Sequence, residues 1–295
     1  MTTNDTYFIP EPSRWPIISA SGVFVLLFGF ILMINDVSAG SMILIAGLLM
    51  IAYIFFGWFG TVIDENLQGS YGSKVSTSFR QGMFWFITSE VFFFLTFFSC
   101  LYYFRGIAIP SLSGEGHQPM SNLLWDGFQD VWPLVNLPGE ANLASGTTYT
   151  PAKETMGAGG IPLWNTIILL SSGATLTWAH WGLKKESKNQ LVLGLMMTVT
   201  LGLIFFGFQA YEYYHAYTAM DLKLSSGIYG STFYMLTGFH GLHVTIGTIM
   251  LIVITIRSMK NHFTEENHFA FEAVAWYWHF VDVVWIGLYF FVYWL

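Results

Sequence analysis

Glu90, His240, His243, Glu272, His279 and Asp282 all fall inside long apolar runs of the sequence. An ionisable group in such a run costs a few kcal/mol or more in hydrocarbon, and it usually faces other protein. Glu90, in "FITSEVFFFLTFF", has aromatic residues on nearly every side. Burial there disfavours a charged carboxylate, so the residue reads either as a hydrogen-bonding anchor to another helix or as a carboxyl that exchanges protons with an adjacent path. His240 and His243, in "TGFHGLHV", are three apart, a spacing that would suit a metal. A structural zinc site needs four ligands and a catalytic one three, and no HExxH pattern supplies the remainder at readable spacing. Bis-histidine heme ligation stays open on counting alone, since His180, His215 and His279 also lie in apolar runs. Glu272, His279 and Asp282 fall with Tyr289 and Tyr293 on one stripe of the last run, by helical periodicity. That stripe should face inward, as a proton or cofactor path or as a packing seam in which side chains hydrogen-bond neighbouring helices.

The elements that must position these groups follow from composition. Of 295 residues, 54% are hydrophobic, 19% aromatic and 10% charged, against about 25% charged in an ordinary soluble domain. The chain reads as a membrane protein. With Cys100 as its only cysteine, neither a disulfide framework nor a thiolate metal site can be built. Nothing in "MTTNDTYFIPEPSRWP" resembles a basic n-region with a cleavage site, so the first apolar segment is expected to be retained. A helix needs about 20 mostly apolar residues to cross the hydrocarbon layer. Such stretches run near 17–34, 41–63, 81–104, 161–183, 191–215, 228–256 and 273–295. They are apolar on all sides, unlike the alternating strands of a barrel. The expected fold is all-α, a polytopic bundle of seven transmembrane helices.

Lys and Arg placement sets the expected orientation. With the N-terminus cytoplasmic, the inner segments hold Arg14, Lys74, Arg80, Lys184, Lys185, Lys188, Arg257 and Lys260, and the outer ones Arg105, Lys153 and Lys223. The C-terminus is then periplasmic, and 105–160, rich in Gly, Pro, Ser and acids, becomes a long periplasmic loop. The polar stretch "DENLQGSYGSKVSTSFR" at 64–80 separates helices 1–2, residues 1–63, from helices 3–7, residues 81–295.

The segments "PSRWP" at 12–16, "GMFWFITSEVFFF" at 82–94, "LLSSGATLTWAHWGL" at 169–183, "QAYEYYHA" at 209–216, "GIYGSTFYMLTGFHGLHVTIG" at 227–247 and "HFAFEAVAWYWHFVDVVW" at 268–285 give the chain a strong resemblance to subunit III of cytochrome c oxidase, of the bacterial type. The resemblance implies two bundles separated by a cleft that holds phospholipid. It implies no heme and no metal in this chain, the heme and copper belonging to partner subunits I and II, and cytochrome c as electron donor to the complex. It implies a non-redox integral subunit of a proton-pumping oxidase in the bacterial inner membrane, supporting proton uptake and the stability of subunit I, with no nucleic-acid partner. The buried helix-3 glutamate of the family maps onto Glu90 and its helix-6 histidines onto His240 and His243. Glu272, His279 and Asp282 then read as structural polar anchors.

Two stretches depart from the family pattern. Where a Trp-Arg-Asp pattern is usual the chain reads "WFGT" at 58–61, and where Gly-His-His-Thr-Pro is usual it reads "GSYGS" at 69–73. Lipid contacts there would fall to Trp58, Glu65, Lys74 and Arg80. The 105–160 loop also exceeds the short form of mitochondrial relatives. Two other classes fit the buried polar residues: a free-standing proton-coupled transporter, for which no internal repeat is visible, and a cytochrome-b-like heme protein.

Overall fold

A computed structural model describes residues 7–115, 121–125, 128–135 and 151–295. The described residues are helical wherever they are regular: α1 (Trp15–Ile34), α2 (Gly40–Leu67), α3 (Ser73–Tyr103), α4 (Ile109–Leu112), α5 (Ser121–Leu124), α6 (Ile161–Lys184), α7 (Lys188–Thr218), α8 (Gly227–Met259) and α9 (Phe269–Leu288). Seven of these are long. Six long stretches are apolar enough to cross a membrane, and α6 is the exception. Its sequence carries Asn165, Thr166, Ser171, Ser172, Thr175, Thr177 and His180, which lower its hydropathy without shortening it.

Two boundaries differ from the sequence expectation. Residues 73–80 belong to α3, so the connector after α2 is 68–72 rather than 64–80. Beyond Tyr103 the helix runs on through a wide π turn, Phe104–Ala108, into α4, so the long interhelical segment begins after Leu112 rather than at 105. Pro110 gives the physical reason, because its missing N–H and ring clash with the preceding turn are accommodated by a wider turn. The parts of that segment at 116–120, 126–127 and 136–150 lie outside the described residues.

The chain divides into two compact units, 1–82 and 83–295. In the first, α1 and α2 pack as a hairpin through glycines. A Cβ on Gly29 would run into the backbone of Leu44, one on Gly40 into that of Met33, and one on Gly47 would lie 2.5 Å from Leu26 Cα. Small residues let two backbones approach closely, which is how helices gain packing energy where lipid removes the hydrophobic drive. Trp15 seats its ring over Gly57 and donates from Nε1 to Thr61 Oγ1 at 3.3 Å.

In the second unit α6 packs along α7, α7 on α8, α8 on α9, and α9 back on α6. Two tryptophans of α9 fasten this arrangement. The fully buried Trp278 lies against Gly202 of α7 and Gly247 of α8, and its Nε1 donates to Ser172 Oγ of α6 at 2.9 Å. Trp285, also fully buried, donates to Thr166 Oγ1 at 2.9 Å. Thr175 and Thr198 bond each other at 2.8 Å between α6 and α7. Thr166, Ser172 and Thr175 of α6 thus bond neighbouring helices inside the unit.

Candidate functional site

Glu90, on α3, meets His243, on α8, through Oε2 and Nε2 at 3.0 Å, although the two are 153 residues apart in sequence. One turn beyond Glu90, Phe94 packs edge-on to the imidazole at 4.9 Å between centroids, and Tyr277 of α9 stacks on it at 6.2 Å. The other ring nitrogen, Nδ1, lies 2.7 Å from the Phe239 carbonyl. A carbonyl only accepts, so Nδ1 carries a hydrogen. The bond at Nε2 then holds one proton in either of two forms, a neutral acid donating to a neutral imidazole or an imidazolium donating to a carboxylate. Both forms leave the pair with no net charge, which is what a site facing hydrocarbon requires. Within two turns of Glu90 on either side α3 supplies no cation; the partner comes from across the bundle, so the sequence alone did not pair them.

His240, three residues earlier, faces elsewhere. It is buried against Phe205 and Trp285, and Nε2 donates to the Val281 carbonyl of α9 at 3.2 Å. His240 and His243 therefore do not converge on a shared ligand position, and each has a bond to protein.

The single inward stripe expected on α9 divides into three neighbourhoods. Near its start, Glu272 Oε1 lies 3.3 Å from His268 Nε2, and His180 of α6 packs on His268 with ring centroids 5.5 Å apart. In its middle, Asp282 is buried while His279 has 45% of its side chain exposed, the two lying 3.5 Å apart. Gly173 of α6 leaves the room for Asp282, since a Cβ there would meet the carboxylate. His279 thus sits at the edge of the packed interior, with Thr177 Oγ1 of α6 3.4 Å from its Nε2. Beyond the end of α9, Tyr293 of the π turn Tyr289–Trp294 donates to Glu212 Oε1 of α7 at 2.7 Å. Glu212 and Gln209, both buried, were passed over in the sequence; a carboxyl and an amide inside "QAYEYYHA" were the available signal.

In the first unit Glu65 accepts from Tyr71 Oη at 2.6 Å, and burial, together with that carboxylate, pushes the Tyr71 phenol up. Trp58 and Lys74 are exposed and Arg80 is half-buried. In the α7–α8 connection Asp221 pairs with Lys153 and, at 3.6 Å, with Lys223. The Lys153 ammonium, by hydrogen bond and charge, holds that carboxyl below the usual aspartate range.

Membrane-length helices with proton-holding side chains bonded between them define a polytopic helical membrane protein. The family model described as cytochrome c oxidase subunit III matches residues 5–160 and 142–295. Relatives named cytochrome c oxidase subunit 3 include that of Branchiostoma lanceolatum, 40% identical over 289 residues, 98% of this chain and 96% of the relative. That of Arabidopsis thaliana is 38% identical and that of Latimeria chalumnae 39%, each over 290 residues with the same coverage. The chain belongs to the cytochrome c oxidase subunit III family, and it is a multi-pass membrane subunit of an oxidase complex.

Proposed function

We propose that this chain is a non-redox subunit of a proton-pumping cytochrome c oxidase, and that it supports proton uptake and the stability of subunit I. In this reading its partners are subunits I and II and bound phospholipid. Those subunits supply the heme and copper that reduce oxygen, with cytochrome c as donor to the complex. The chain lies in a bacterial inner membrane with its N-terminus cytoplasmic and C-terminus periplasmic, as the Lys and Arg distribution favours. Trp58, Glu65, Lys74 and Arg80 are the residues offered to lipid headgroups.

The observation that carries the reading is the Glu90–His243 bond. With Nδ1 committed to Phe239, the proton at Nε2 can sit on either partner without changing the charge of the pair. Such a group buffers a nearby proton path without itself conducting. Glu90→Gln tests it, because the amide keeps a donor for Nε2 while removing the carboxyl that can exchange its proton with His243. The assembled variant should respire with full heme content, with slower proton uptake or shorter lifetime during turnover. The expected rate loss is less than about tenfold, or about 1.4 kcal/mol. Uptake and lifetime equal to those of the parent would reduce Glu90 to a packing anchor.

A further inference from the structure

We propose a divalent-metal site, of the kind that takes Zn2+, at the junction of α6 and α9, formed by His180, His268 and Glu272. One ligand atom from each lies within 4.8 Å of the others. Two imidazoles and a carboxylate are a donor set that borderline metals such as zinc accept, usually with a fourth position left to water or another donor.

Three features of the junction go beyond proximity. His268 is buried, with 8% of its side chain exposed, and its Nδ1 lies 3.1 Å from the Thr264 carbonyl. That carbonyl accepts the Nδ1 hydrogen and leaves the Nε2 lone pair pointing away, the same orientation that an outer carbonyl imposes on metal-binding histidines. His180 Nε2 is a buried nitrogen without a hydrogen-bond partner, a condition that costs about 1–3 kcal/mol when nothing compensates it, and the Glu272 carboxylate stands beside His268 Nε2. The separation of His268 Nε2 from Glu272 Oε1, 3.3 Å, is also about the edge of a tetrahedron drawn around a metal with bonds of about 2.0–2.1 Å. His268 and Glu272 are i and i+4 at the first turn of α9, so one helix start presents two ligands and the end of α6 the third. The nearby Lys184, one turn beyond His180, opposes a cation, and the carboxylate offsets it. Bound there, the ion would clamp the end of α6 to the start of α9.

The test uses the intact oxidase complex, stripped with a chelator, re-exposed to Zn2+ and analysed for zinc per complex. The parent should take up one equivalent, with a zinc-edge X-ray absorption spectrum showing imidazole ligands. His180→Asn, His268→Asn and the shape-preserving Glu272→Gln should each bind at least about 100-fold more weakly. Glu272→Gln and His180→Asn guard against the case in which His268→Asn fails to assemble, and zinc should raise the unfolding temperature of the parent alone. Absence of saturable uptake by the parent, or uptake that all three substitutions leave unchanged, overturns the site.

Discussion

At the scale of single residues, the histidines of α8 separate two chemistries that the sequence left open. His243 has both ring nitrogens bonded, to Phe239 and Glu90, and His240 donates from Nε2 to the Val281 carbonyl with its ring packed on Phe205 and Trp285. The variant carrying His240→Asn and His243→Asn together should therefore keep the heme and copper content of the assembled oxidase, read by pyridine hemochrome and metal analysis. A stoichiometric loss of either with assembly intact would restore a ligand role. Asp221 gives a pH prediction of definite sign. Its carboxyl is held below the ordinary aspartate value of about 3.9 by Lys153, so the clasp contributes stability above that value and loses it as pH falls through the depressed one. Pepsin digestion across acidic pH should cut the α7–α8 connection increasingly as the clasp opens. Asp221→Asn should be equally susceptible throughout that range, and a parallel pH profile in both proteins would remove the clasp from the account.

At the scale of elements, the length and apolarity of the long helices were legible, and their ends were not. Helices α2 and α3 run into the polar stretch at 64–80 from both sides, because charged residues are tolerated in helical turns that emerge from the apolar layer. The partners were illegible for a different reason: Glu90 with His243, Tyr293 with Glu212, and His180 with His268 are brought together by packing between distant helices, which a periodicity along one helix does not encode. Trp278 shows what that packing contributes. Its ring fills the space opened by Gly202 and Gly247, and its Nε1 binds Ser172. Trp278→Phe should lower stability by about 2–4 kcal/mol, from a cavity plus a lost hydrogen bond. The measurement is the thermal unfolding midpoint in detergent, with the outward-facing Trp276→Phe as the comparison. Equal midpoints for the two variants would contradict the role assigned to Trp278.

For the whole molecule α6 stands apart, because it is long enough to cross a membrane but less apolar than the other six. Three of its polar side chains bond other helices: Thr166 with Trp285, Ser172 with Trp278 and Thr175 with Thr198. A helix shielded in this way can cross without an apolar surface on every side, because lipid meets only its outer face. Reporters fused near Lys153 and near Ser187 should accordingly give opposite compartment readouts, periplasmic for the first and cytoplasmic for the second. Matching readouts would mean that α6 does not cross, and would place the C-terminus on the N-terminal side.

The glycine-lined hairpin of α1 and α2 also bears on the order in which the chain is made. Its contacts are closed by the short turn at 35–39, so pairing requires nothing encoded after residue 67. Ribosomes add roughly 5–20 residues per second and N-terminal elements fold first. The hairpin therefore leaves the ribosome able to pair while α9, whose two tryptophans fasten the second unit, is still untranslated. Insertion of this protein thus has a natural checkpoint, with one self-paired helix hairpin in place before the long helices that depend on the final segment have their fastening residues.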